Sequence, residues 1–429
     1  MHFRGLKTII TELKNIIWGI PTLSLLIVFG IYFTLKSSFY RPKAIKSIVR
    51  DTLFSLKKKD SNGISPFSAV MTALGGTVGV GSIVGVGYGL AVGGAGSIFW
   101  MWVCSFFGMG LKYAEVKIAL TDRERQDGIF LGGAPFRLKK LGYKKSSVVF
   151  CLLCALASFG TGNLTQIGSM ASFFDSVGIS ETVGCAVCVL IISLAVFGGR
   201  GRIADINSFI VPSASALYLI ACLALLVLNH EGILPAFKSI FKEAFGFSAI
   251  TGGFSGAMLS HVIREGFVRS LFSNEAGMGS SPLAHATAEI SNPCIQAKWG
   301  IFEIFFDTFV VSTLTAICLL SSGFLNPSDM FSFSFGNIGS WIFGGLIAVF
   351  AFASVISWCY YSECCLSFLF PKNKTALTVY RILFSLCALF GFFLSESAVW
   401  EISDILNACM MFPNLFLLFK CRKEIERMV

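Results

Sequence analysis

Ten glycines fall in the 25 residues TALGGTVGVGSIVGVGYGLAVGGAG (72–96), an uncharged stretch long enough to cross a bilayer. Each glycine costs a helix about 1 kcal/mol relative to alanine, so the helix is expected to unwind there. Freed N–H and C=O groups are tolerated in a bilayer only where they are buried in protein or line a polar cavity. The N-terminus of the second half-helix would then offer N–H groups and a positive dipole end to a carboxylate. The freed carbonyls could coordinate a cation. A second apolar stretch, ITGGFSGAM (250–258), carries the same kind of interruption. Close packing of small residues is the competing reading, and Gly81, Gly85 and Gly89 do have its four-residue spacing. Two interrupted spans favour a binding site.

Ionisable residues inside apolar spans are costly and therefore candidates for function. Glu303 and Asp307, one turn apart, could relay protons, bind a cation or bond to a neighbouring helix. Glu115 is expected to be solvated or paired with Lys112, and Glu275 to contact Arg264 or Arg269. Asp404 and Asn407 read as interhelical polar contacts. His261 and His285 are isolated and read as ordinary. Fourteen cysteines are scattered, some as CxxC (Cys151/Cys154, Cys185/Cys188), within apolar runs and without nearby histidine. They read as small core residues, with no disulfide or metal role. No HExxH or GxSxG motif is present, and no enzyme activity or cofactor is expected.

The elements that must position these groups are membrane helices. The 429 residues are 55% hydrophobic and 14% charged, with a mean hydropathy of +0.75; soluble proteins carry about 25% charged residues. Eleven apolar runs suit membrane spans: 17–35, 66–92, 97–120, 147–172, 181–198, 208–229, 247–270, 298–320, 339–370, 376–394 and 401–419. A basic flank precedes the first run and no small-residue cleavage site follows it, so it is expected to be a retained span. The net charge of +10 is distributed as topology signals, which excludes a nucleic-acid partner. Eight Lys and Arg lie between residues 36 and 59 and nine between 112 and 145, whereas 91–97, 173–181, 321–339 and 394–401 hold none. By the positive-inside rule the N-terminus lies outside and the C-terminus in the cytoplasm. The Phe- and Lys-rich composition suggests a bacterial inner membrane.

After the N-terminal span and basic segment (1–60), the spans divide into two sets of five, 61–230 and 247–419, followed by a tail (420–429). Five is odd, so the two sets are inverted relative to each other. Each opens with an interrupted span, the pattern that points to the midplane site of a secondary transporter.

Several blocks carry a family resemblance. TALGGTVGVGSIVGV…GGAGSIFWMWVCSFFGMGLKYAE (72–115), RSLFSNEAGMGSSPLAHATA (269–288), FFDTFVVSTLTA (305–316), FAFASVISWCYYSE (350–363) and SDILNACMMFPNL (403–415) resemble the alanine/glycine:cation symporter family over nearly the whole chain. The resemblance implies an all-α, leucine-transporter-type five-plus-five inverted repeat with one extra N-terminal helix. It implies import of alanine, glycine or a similar small neutral amino acid, D-alanine included, with Na⁺ as the co-transported ion. By this resemblance Na⁺ is held by the carbonyls of Gly75 and Val78 and the Ser354 hydroxyl. Substrate carboxylate meets the N–H groups of Gly79, Val80 and Gly81, beside Ser82. Carbonyls of Gly252, Gly253 and Phe254 take the ammonium, and Gln166 and Trp358 wall the pocket. The chain departs from the family pattern at Val80-Gly81-Ser82 (usually T-G-N) and at Ala353-Ser354 (usually Ser/Thr-Thr). It departs again at Gly162-Asn163…Gln166-Ile167-Gly168 (usually G-N…Q-x-N) and at Gly132-Gly133-Ala134-Pro135-Phe136-Arg137 (usually G-G-P-M-Y-Y). These changes remove polar ligands, so they bear on ion and substrate rather than on fold. H⁺ coupling through Glu303 and Asp307 is the alternative.

Overall fold

A computed structural model describes residues 12–13, 16–52, 63–176, 178–245, 255–391 and 396–426. In chain order the described helices begin with α1 (Ile20–Ser37), α2 (Pro42–Thr52), α3 (Pro66–Thr77), α4 (Val80–Gly93) and α5 (Gly96–Ala119). A short hairpin follows, β1 (Glu124–Gln126) and β2 (Ile129–Leu131). Next come α6 (Ala134–Lys140), α7 (Lys144–Phe159), a π-helical turn (Gly160–Leu164) and α8 (Thr165–Ser176). Then follow α9 (Glu181–Val196), α10 (Gly199–Leu228), α11 (His230–Ala244), α12 (Ser255–Asn274) and α13 (Ser281–His285). The chain continues with α14 (Pro293–Ile304), a second π-helical turn (Phe305–Ser312) and α15 (Thr313–Ser322). It closes with α16 (Pro327–Phe335), α17 (Asn337–Leu369), α18 (Lys374–Gly391) and α19 (Glu396–Cys421).

A described helix overlaps each of the eleven expected spans, with 247–254 and 392–394 lying outside the described residues. By length and apolar composition, seven helices among the described residues can cross a membrane, or eight if α1 and α2, bent by 89°, form one span. The shortfall has physical causes. α5 carries Lys112, Glu115 and Lys117, and α12 carries Arg264, Glu265 and Arg269, while α9 has 16 residues. Lys112, Glu115 and Arg269 find polar partners inside the protein, as shown below. α11 was not anticipated. It is an amphipathic helix that buries Ala236, Ile240 and Ala244 and exposes Lys242.

Local chemistry sets the boundaries. Ser65 caps α3, accepting from the Ser68 N–H at 3.0 Å, with Pro66 at the first helical position, where its missing N–H costs nothing. Asp127 and Gly128, at φ 49° and 80°, make the tight turn that an Asp-Gly pair favours between antiparallel strands. The hairpin anchors a distant loop. The Arg123 guanidinium donates to the carbonyls of Ala288 (2.7 Å) and Ile290 (2.8 Å), and Ile64 bridges to Ala288.

The long central helix α17 packs against α3, α7, α8 and α10, and α12 packs between α4 and α5. All fourteen cysteines are free, and eleven of them are buried, as expected of small core residues.

Candidate substrate and ion site

The first glycine-rich span is broken where its sequence foretold. α3 stops at Thr77, and α4 restarts at Val80 after Gly79 in an extended conformation (φ −161°, ψ −145°). Val78 closes α3 by donating to the Leu74 carbonyl at 2.6 Å, and the Ser82 N–H donates to the Gly79 carbonyl at 3.2 Å. The N–H groups of Gly79, Val80 and Gly81 find no backbone acceptor among the described residues. They are the orphan donors of a helix start, and all three residues are buried.

A second break faces the first. α12 ends at Asn274, the backbone turns through Glu275 (φ 54°), Gly277 (87°) and Gly279 (75°), and α13 resumes at Ser281. Gly81 packs on this end of α12: a Cβ there would lie 3.2 Å from the Phe272 ring and 3.4 Å from Ser273 Cα. The expected carbonyls of Gly252, Gly253 and Phe254 lie outside the described residues. The break at 275–280 was missed by sequence reasoning, although two glycines followed by Ser-Ser-Pro are a recognisable signal for an interruption and restart.

Glu115 holds this second break in place. Its carboxylate accepts the N–H groups of Gly277 (3.1 Å) and Gly279 (3.0 Å) and the Asn414 amide (2.5 Å). This differs from the expected solvated or Lys112-paired role, because Lys112 turns to Ser281 (2.7 Å) and Glu303 (3.4 Å). His285 is not isolated either: its Nε2 lies 2.8 Å from Glu303, and Gln296 bonds the other ring nitrogen at 3.0 Å. Glu275 accepts from Ser280 at 2.5 Å, and Arg269 pairs with Asp404 at 2.6 Å instead. The partners of Lys112, Glu115 and Arg269 are distant in sequence, which is why adjacency misled.

Among the residues expected to hold Na⁺, Ser354 Oγ donates to the Gly75 carbonyl at 2.8 Å, across from α17 to α3 and not to its own helix. Among the described residues the Val78 carbonyl accepts no hydrogen bond from Ser354. Gly79 lets α17 approach closely, since a Cβ there would collide with Ser354 Oγ and lie 3.5 Å from Gln166 Oε1. Among the described residues that Gln166 oxygen is buried without a hydrogen-bond partner, as are Asn207 Oδ1 and Trp358 Nε1. Buried polar atoms are normally paired, so a polar guest beside Gly79 would satisfy Gln166 Oε1. Gln166 is held by donating to the Thr161 carbonyl in the π-helical turn (3.2 Å), and Trp358 packs against Gly162 of the same turn. Ser82 faces elsewhere, donating to Asp307 and bonding Ser273 Oγ at 2.9 Å.

One prediction arises from Ala353, which is fully buried beside Ser354. Restoring a hydroxyl with Ala353→Thr or Ala353→Ser should lower the Na⁺ concentration for half-maximal uptake by about fivefold, the equivalent of about 1 kcal/mol. Ser354→Ala should raise it. If all three variants keep the wild-type Na⁺ dependence, these oxygens do not hold the ion.

Two broken helices meeting around unpaired buried donors and acceptors, within a bundle of apolar helices, define a membrane transporter. A family model described as the sodium:alanine symporter family matches residues 3–429, so the chain belongs to that family and is a transporter, not an enzyme. It is 35% identical over 429 residues to the sodium/alanine symporter AgcS of Methanococcus maripaludis, an alignment covering 95% of this chain and 93% of AgcS. It is 31% identical to the probable sodium/glutamine symporter GlnT of Bacillus subtilis, over 98% of this chain and 89% of that protein. Among solved structures, MhsT in complex with L-phenylalanine superposes with a TM-score of 0.62 at 15% identity, over 85% of this chain and 89% of MhsT. That likeness concerns the fold.

Proposed function

We propose that the chain imports a small neutral amino acid, alanine or glycine and D-alanine included, together with Na⁺ by alternating access. The observation that carries this reading is the Val78–Gly79 break, whose orphan N–H groups sit beside Gln166 and Ser354 and face the second break at 275–280. The N–H groups of Gly79, Val80 and Gly81 receive the carboxylate, and Gln166 and Trp358 wall the pocket. Gly75, Val78 and Ser354 supply oxygens for Na⁺, a hard cation. The name of AgcS supports alanine and that of GlnT allows a larger neutral side chain. The likeness to MhsT supports the leucine-transporter-type fold; the apolar runs and charge distribution of the sequence support eleven spans, the last ten forming two inverted sets of five, and its composition a bacterial inner membrane.

H⁺ coupling is the second reading, favoured by the two fully buried carboxylates Glu303 and Asp307 on α14 and the π-helical turn after it. Uptake of radiolabelled alanine into vesicles, with a Na⁺ or an H⁺ gradient imposed separately, decides between the two. Stimulation by Na⁺ is expected; stimulation by neither overturns both. A reporter fused after Val429 should read as cytoplasmic, and so should one near Lys58. A reading on the far side at either point breaks the proposed orientation.

A further inference from the structure

We infer that the groove between α2, α5 and α14 binds an acyl chain of an anionic phospholipid, whose headgroup rests on Arg41, Lys43 and Lys46. The inference needs the chain only to be a membrane protein and does not depend on the transported ion or amino acid. After a left-handed turn at Ser38 (φ 55°), α2 leaves α1 at 89°. With α1 crossing the bilayer, α2 lies along its surface. Helical spacing divides its sequence PKAIKSIVRDT into two faces. Ile45, Ile48, Val49 and Thr52 share one, and Lys43, Lys46 and Arg50 share the other. A helix of this kind rests in the interface, with its apolar face towards the acyl chains and its cations at headgroup level.

The apolar face of α2 borders a groove of 420 Å³, a volume within the range of small-molecule sites. Tyr40, Ile45, Val49, Phe106 and Phe305 line it and are exposed, together with the buried Met109. Polar contacts fix its walls. Lys298 on α14 pairs with Asp51 of α2 at 2.6 Å and donates to Ser47 at 2.7 Å. The Phe39 and Phe106 rings pack with centroids 5.5 Å apart. An apolar groove on this side of α2 faces hydrocarbon, so a lipid tail matches it.

Charge selects the kind of lipid. Residues 36–59 hold eight Lys and Arg and one acid, Asp51, which Arg50 and Lys298 already engage. Arg41, Lys43 and Lys46 are exposed and form no ion pair among the described residues. A basic cluster on an amphipathic helix beside a membrane span attracts anionic headgroups. Tail and headgroup are thus recognised by the two faces of a single helix.

Native mass spectrometry of the delipidated full-length chain, with palmitoyl-oleoyl phosphatidylglycerol or phosphatidylcholine added, tests this without any transport measurement. Wild type should bind its first phosphatidylglycerol at least about tenfold more tightly than its first phosphatidylcholine. Arg41→Gln, Lys43→Gln and Lys46→Gln combined should remove most of that preference, and all three side chains are exposed, so the fold should survive. Val49→Trp keeps every charge, fills the groove and should weaken phosphatidylglycerol binding severalfold. Equal affinity of wild type for the two lipids overturns the inference. A preference undiminished in the triple variant overturns the headgroup assignment, and unchanged binding by Val49→Trp overturns the groove. A wild-type dimer that Val49→Trp dissociates would assign the groove to a second copy of the chain and likewise overturn the lipid.

Discussion

Gly79→Leu should abolish amino-acid uptake while the chain still inserts into the membrane. Even a Cβ at this position collides with Ser354 Oγ and approaches Gln166 Oε1, so a leucine side chain must fill the space between α17 and the break. Overpacking of this kind costs about 1–3 kcal/mol, small enough for a large helical bundle to survive. The transport loss should be far greater than that, because the side chain occupies the volume assigned to the carboxylate. Gly81→Leu meets Phe272 and the backbone of Ser273 and should act in the same way. Uptake is measured beside membrane abundance and the elution profile of the purified variant. Normal uptake by both variants would mean that these glycines serve only helix packing.

The second large effect is expected at Arg269. Its guanidinium is almost fully buried, pairs with Asp404 at 2.6 Å and lies over the rings of Tyr88, Phe272 and Trp400 at 5.3, 5.5 and 5.3 Å. Tyr88 and Trp400 are themselves stacked, with centroids 6.2 Å apart. This cluster ties α4, α12 and α19 together on the α4 side of the breaks. Removing one partner of a buried ion pair costs about 3–5 kcal/mol, whereas replacing both by apolar groups is often neutral. Arg269→Met should therefore lower the thermal stability of the purified protein sharply, and Arg269→Met with Asp404→Leu should recover most of the loss. Equal destabilisation in the single and double variants would show that the pair's charge balance is not what holds these helices.

How much of this was legible in the sequence follows from the range of the forces involved. Helix positions were legible because an apolar run is a local property, and each of the eleven expected spans meets a described helix. The first break was legible because glycine density is local too. The second break at 275–280 was not, because Gly277 and Gly279 are only two glycines, a sparse local signal beside the ten of the first span. Only tertiary packing places Gly277 against Leu111 of α5 and Gly279 against Asn414 of α19. α11 escaped notice because its apolar face is narrow, built on Ala236, Ile240 and Ala244. The polar partners were least legible. Lys112 meets Glu303 across 191 residues and Glu115 meets Asn414 across 299, and neither partner could be inferred from neighbours in the chain.

Calorimetric titration of alanine into the purified wild-type protein, in Na⁺ and then in K⁺ at equal ionic strength, tests the central claim most directly. If the two breaks hold ion and amino acid together, the two bindings are thermodynamically linked. Na⁺ should then tighten alanine binding by about 5–150-fold, and alanine should tighten Na⁺ binding by the same factor. Equal alanine affinity in Na⁺ and K⁺ would contradict the account.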